Sequence, residues 1–190
     1  MPLDLNPYSL WEILIASTDA EATAYGTPVT LFKDQMFTVT PVHDTDQQRD
    51  SGQVTSSLSI ATHADLTIQA GGIPMEAGIT MLGAASSTSD DIITIRRYTA
   101  TNRPYFGALG VAPTEDDRIL VVGLYKAQIQ GDPEINFDGT TNAWITSEMS
   151  AIALAKASVM AFDKWKVYPD LETWETDKPT DGTDFLAWFA

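Results

Sequence analysis

The sequence predicts a mainly β fold with one internal helix. Three observations carry that prediction. Runs of β-branched and aromatic residues recur from residue 30 onward, a two-residue alternation of apolar and small polar residues spans 54–70, and one four-and-three spacing of apolar residues follows Gly71-Gly72. At 190 residues the chain is long enough to form one domain. A chain of this size buries roughly 70% of its unfolded surface. Its 44% apolar and 19% charged residues place it with folded proteins and not disordered ones.

Taken in order, Asn6 followed by Pro7 reads as an N-cap and first helical position. With Leu10, Trp11, Ile13 and Leu14 clustered after it, a short helix is expected over 7–16. The small residues of 20–27 then form a linker. Segments 30–34 and 35–42 read as strands, and Pro41 either ends the ladder or marks a sheet edge. The polar run HDTDQQRDSG at 43–52 cannot pack a core, so it is a loop or a paired extension in solvent. Strand returns at 54–70, with Val54, Leu58 and Ile60 on one face and Ser57, Ser59 and Ala61 on the other. Gly71 and Gly72 break it. Pro74 with Met75, Ile79 and Leu82 predicts a helix over 74–85, and DDIITIRRYTA at 90–100 predicts a strand.

Next comes a long hairpin, within 96–139, folded at the acidic turn Glu115, Asp116 and Asp117. Its first leg carries Tyr105, Phe106, Leu109 and Val111 with two glycines among them. The second places Ile119, Val121, Tyr125 and Ile129 on one face and Leu120, Val122, Leu124 and Lys126 on the other. Apolar residues on both faces need a cover, which another copy of the chain can supply. Subunit contacts are therefore expected at Tyr105, Phe106, Leu109, Val111, Leu120, Val122 and Leu124, and on that reading Phe106→Asp leaves the monomer folded but stops assembly. A turn at Phe137-Asp138-Gly139 leads to a strand with some helical character in 142–156 and a mixed segment, FDKWKVYP. From Asp170 onward six acids and one lysine precede the ending FLAWFA. The expected division is a helix and linker at 1–26, a β domain at 27–169 and an acidic segment at 170–190.

Charge is the most informative bulk property. With 26 acids against 11 bases the formal net charge is −15, and such a surface repels phosphate instead of exchanging its counterions. It serves solubility, or it lines a passage for nucleic acid that must not stick. The chain has no cysteine, which excludes disulfides, thiolate nucleophiles and cysteine-based metal sites. The first residues have neither a basic region nor an apolar stretch long enough for a signal or a membrane span.

Other chemistries fit poorly. Counting from Asp44, the glycine position of a calcium loop holds Arg49 and the terminal glutamate position holds Thr55. There is no G-x-S-x-G, and the glycines at 71, 72, 107 and 110 lack both dinucleotide and phosphate-loop spacing. Some pair among 26 acids always has glycosidase separation, so that signal has no weight. The five tryptophans could make a sugar-stacking platform, but core or interface is their commoner use. No catalytic residue, metal or cofactor is expected.

The order of elements, together with the run "NRPYFGALG...DDRILVVGLYKAQIQGDPEINFDG", resembles the major tail tube proteins of long-tailed bacteriophages over residues 27–156, most strongly in the hairpin and "GDPEINFDG". The resemblance implies a β-sandwich or half-barrel with one flanking α-helix. Copies would close into a hexameric ring with a continuous inner β-barrel, and rings would stack into a tube. It implies a structural virion protein located in the tail and assembled in the host cytoplasm. Partners would be copies of itself, the tape measure and tail terminator proteins, and a sheath in contractile tails. DNA would pass without specific binding, and no membrane would be involved. The polar segment with His43, Asp44, Asp46, Arg49 and Asp50 is then expected between stacked rings, and Glu115, Asp116 and Asp117 are candidates for the lumen. The alternative is a carbohydrate-binding or adhesin-like β-sandwich module, with an unrecognised hydrolase third.

Overall fold

A computed structural model describes residues 9–50, 53–72, 74–83, 85–86, 93–94, 103–130, 134–135 and 147–190. The expected strand at 90–100 and the turn at 137–139 lie largely outside these residues. The strands are β1 (Glu12–Thr18), β2 (Val29–Thr30), β3 (Phe32–Asp50), β4 (Gln53–Gly72), β5 (Ala85–Ser86), β6 (Ile93–Thr94), β7 (Tyr105–Pro113), β8 (Ile119–Ile129), β9 (Glu134–Ile135), β10 (Ser147–Ala153) and β11 (Asp163–Tyr168). The helices are α1 (Met75–Leu82), α2 (Leu171–Asp177) and α3 (Gly182–Trp188). One antiparallel sheet runs β2-β1-β7-β8-β10-β4-β3, with β11 on β8 and β9 on β10. β5 and β6 pair separately.

The sheet curls onto itself. Phe37 of β3 packs over Gly110 of β7, where an added Cβ would sit 2.5 Å from the ring, although β8, β10 and β4 stand between β7 and β3 in the strand order. Inside the curl lies one core, with Ile13, Ile15, Leu66, Ile68, Phe106, Leu124, Ile129 and Met149 beside Ala77 and Met81 of α1. The architecture is therefore a half-barrel made from one sheet, not two facing sheets. α1 matches the expected helix, one turn shorter, and it ends at Gly83 in the left-handed region at φ 66°. It turns Ala77 and Met81 inward, while Ile79 is partly exposed.

The expected helix at 7–16 is instead the strand β1. Its residues Ile13 and Ile15 face the curled core, and Leu14 and Ala16 face the opposite side. A strand flanked by β2 and β7 and covered on both faces reads as an unbroken apolar run, which imitates a short amphipathic helix.

What covers the other side is the acidic ending. Asp170 caps α2 by accepting from the Thr173 N–H at 2.7 Å, and those bonds to Thr173 hold its carboxyl below the ordinary value of 3.8. Asp181 caps α3, accepting from Thr183 and Asp184 N–H at 2.8 and 2.9 Å. Between them the helices lay Trp174, Phe185, Trp188 and Phe189 onto Leu14, Leu109, Val121 and Tyr125. Their acids face solvent. Segment 170–190 thus completes a second core and adds two helices that the sequence reading does not contain.

Two glycines in the hairpin make room for this layer. Gly107 lies under Tyr25 and Phe185, and Gly123 lies under the Trp188 indole with Leu109 beside it. Trp188 is 3% exposed and has little room to retreat. Gly123→Ala is expected to cost about 1–3 kcal/mol through overpacking. That amounts to a fall of roughly 2–10 °C in Tm, to be read by calorimetry. An unchanged Tm would show that the indole is not seated there.

Candidate assembly surface

Nearly all of the expected subunit-contact row is buried within its own chain. Phe106, Leu109, Val111 and Leu124 are fully enclosed and Leu120 nearly so, while Tyr105 and Val122 keep partial exposure. The alternation places Phe106 and Leu124 in the curled core and Leu109 and Val111 beneath the tail helices. Ile129 changes side relative to Tyr125, because β8 carries one extra residue between the rungs Phe106↔Ala127 and Ala108↔Leu124. The cover expected from a second copy is supplied by the chain itself.

The polar segment is strand. β3 and β4 form a hairpin whose ladder runs from Phe32↔Gly72 to Asp50↔Gln53, through Pro41↔Ala64. β10 accompanies β4 only from Ala70 to Ala64. Outward of that point the hairpin pairs, among the described residues, only with itself and forms a projecting arm. His43 and Asp44 are exposed on it, and Asp46, Arg49 and Asp50 follow along β3, opposite Leu58, Val54 and Gln53. Of the two expectations for 43–52, paired extension is the one observed over 43–50, Ser51 and Gly52 lying outside the described residues, and Pro41 marks an edge strand.

At the β7–β8 turn Glu115, Asp116 and Asp117 are exposed. Asp117 has φ 61°, and Thr114 Oγ1 donates to Asp116 Oδ1 at 2.8 Å. Arg118 approaches Asp116 at 3.3 Å, so this carboxylate serves the turn while Glu115 and Asp117 project freely. β11 was not foreseen as part of any surface. It pairs with β8 alone, in the register Trp165↔Val122 and Val167↔Leu120, and its other edge carries no strand among the described residues. Trp165 is 57% and Val167 36% exposed. The signal for it was the alternation Lys164-Trp165-Lys166-Val167, which a reading as a mixed segment overlooked.

Among the described residues no three metal-ligating side chains converge, and no helix is long and apolar enough to cross a membrane. A cleft of about 190 Å³ between β11 and the tail helices is lined by Lys166, Asp177, Lys178, Asp184 and Trp188. Apart from Lys166, its charges are already engaged. Asp177 accepts from Tyr168 Oη at 2.6 Å, Asp184 from Thr180 Oγ1 at 2.8 Å, and Lys178 binds Glu12, so the cleft is a packing seam. Burial raises the Tyr168 and Tyr25 hydroxyls well above the usual tyrosine value; Tyr168 is raised further by the bond it donates to Asp177 and by the negative charge there.

A scan against known protein families found no match, and a search among curated proteins found none either. Among solved structures the chain is similar to a component of the anti-feeding prophage baseplate, at 12% identity and a TM-score of 0.44, covering 90% of this chain and 99% of that one. It is also similar to a component of the anti-feeding prophage tube-terminating cap, at 10% identity and 0.42, covering 87% and 94%. A component of an extracellular contractile injection system's sheath-tube complex gives 10% and 0.38, covering 84% and 91%. Likeness of this degree assigns no role.

Proposed function

We propose that the chain is a structural subunit of a phage tail tube, in which copies close into hexameric rings with a continuous inner barrel and the rings stack into a channel for DNA delivery. The observation that carries this reading is the arm. An extension of nine rungs beyond Ala64, paired among the described residues only with itself, leaves the β3 and β4 backbone edges open, and its natural cover is a neighbour. The half-barrel contributes a second incomplete element, since a curled sheet with free edges at β3 and β11 can be continued by further copies.

The arm residues His43, Asp44, Asp46, Arg49 and Asp50 then bridge stacked rings. Of the contact row, Tyr105 and Val122 remain accessible to a neighbouring subunit. Glu115 and Asp117, with Asp116 held in the turn, are placed at the lumen. A wall of carboxylates there offers phosphate no cation with which to exchange counterions, so DNA slides past without adsorbing. The tape measure and tail terminator proteins would be met at the tube's interior and end.

Electron microscopy of the purified protein tests the reading, with rings and tubes expected. Replacing residues 43–62 by Asn-Gly, which closes β3 onto β4 at Val42↔His63, is expected to preserve the fold and ring closure but stop elongation. Tubes of ordinary length from the shortened chain would reduce the arm to a solvated projection. A wild-type protein that stays monomeric at high concentration and binds glycans would favour the carbohydrate-binding module.

A further inference from the structure

We propose that the free β3 edge of one copy's arm pairs with the free β11 edge of another copy, setting Asp44 and Asp46 against Lys164 and Lys166 and covering Trp165 and Val167. This rests on the self-assembly reading above and names the surface that accepts the arm.

The match lies in the two-residue period. On β3 the register from His43↔Ala61 to Gln48↔Ser56 is unbroken, so Asp44 and Asp46 occupy alternate positions on one face and His43 and Thr45 the other. On β11 Lys164 and Lys166 occupy one face, and Trp165 and Val167 the other. Pairing the two edges therefore brings two carboxylates beside two ammoniums on one side. On the other, the small polar Thr45 comes beside an indole and a valine, a combination that cross-strand contacts favour.

Charge points the same way. Residues 43–50 hold three aspartates against one arginine in a chain with only 11 basic residues, and two of those eleven are on β11. Lys166 stacks over Trp188 at 5.0 Å, with no carboxylate partner among the described residues. Lys164 donates to the Ala190 carbonyl oxygen. Its ammonium is held below its usual range by burial first and by Lys166 second. Two adjacent like charges, with no side-chain carboxylate paired to either among the described residues, favour an acidic strand alongside. Exposed lysines on an edge strand also guard it against indiscriminate pairing, so an acidic edge is the kind they admit.

β3 is outermost in the sheet, beyond β4, and β11 lies on β8, so β10 and β4 separate the two edges within one chain and the partner in this contact is a different copy. A contact joining two different edges is heterologous. It propagates from copy to copy and closes into rings or extends into filaments, instead of stopping at a dimer.

The test is a charge exchange. Asp44→Lys/Asp46→Lys and Lys164→Asp/Lys166→Asp are each expected to lose assembly alone, with circular dichroism of the folded protein unchanged. Mixed one to one they should assemble again, because each reversed edge then meets an opposite one. Assembly by either variant alone, or failure of the mixture with both variants folded, overturns the proposal. Should the reversed β11 fail to fold, Lys164→Gln/Lys166→Gln takes its place, and assembly at the wild-type concentration overturns it equally. As the chain has no cysteine, Thr45→Cys/Val167→Cys gives a second readout: a ladder of covalent oligomers on a non-reducing gel is expected, and a single band at monomer size counts against it. Wild-type protein that never assembles sinks the self-assembly reading and this contact together, whereas normal wild-type tubes with indifferent variants sink only the contact.

Discussion

Phe106→Asp is expected to unfold the chain. The ring is fully enclosed in the curled core, on the same side of the sheet as Ile13, Leu66 and Leu124. Truncating such a phenylalanine to alanine costs about 3–5 kcal/mol by itself. A carboxylate adds the penalty of a buried charge for which the apolar surroundings provide no partner. Against a total stability of roughly 5–15 kcal/mol, that sum leaves little folded protein. Far-ultraviolet circular dichroism and urea titration would show a lost or sharply lowered transition. A folded monomer with a wild-type midpoint would return Phe106 to the surface and restore it as a subunit contact. Tyr105→Asp, one position away and partly exposed, is the control that should remain folded.

The difference between these two adjacent residues shows where sequence reading succeeds and where it stops. The hairpin of β7 and β8 was legible from its apolar runs and acidic turn, and the helix after Gly72 from its spacing. Which body covers the hairpin was not legible, because an apolar row looks the same whether a neighbour or the chain's own ending lies upon it. The cover lies in a segment that the sequence marks only by its six acids. Asp170 and Asp181 are N-caps, and the aromatic residues after them are helical faces, so acid count and cap chemistry spoke for opposite conclusions. β1 misled for a related reason: burial on both faces erases the alternation that identifies a strand. The bulge near Tyr125 leaves no mark in composition, yet it decides which core receives Ile129. For the assembly surface, the arm was visible as a polar stretch between strands. The exposed strand β11 is not visible in the same way, since Lys164 to Val167 alternate over only four residues.

Glu12→Ala should release the tail layer from the sheet. Among the described residues Glu12 is the one buried charge, and it ties β1 to the tail helices: Trp174 Nε1–H donates to Oε1 at 3.0 Å, and Lys178 Nζ donates to Oε2 at 2.6 Å. Its side chain is 9% exposed, against 25% for Lys178. Removing the carboxylate leaves an indole N–H without its acceptor in the second core and an ammonium without its ion-pair partner. Breaking a wholly enclosed pair costs about 3–5 kcal/mol. Lys178 can turn part-way to solvent, so a loss nearer 2–3 kcal/mol is expected, most of it from the stranded donors. Glu12→Gln keeps an acceptor for Trp174 and should lose less. The double variant Glu12→Ala/Lys178→Met removes both ends of the ion pair, and its cost should fall short of the two single costs summed by about 1–3 kcal/mol. Tryptophan fluorescence during urea unfolding reads the effect where it occurs, because Trp174 and Trp188 both belong to the released layer. Additive single and double variants would mean that the ion pair contributes nothing and that aromatic packing alone holds the tail helices to the sheet.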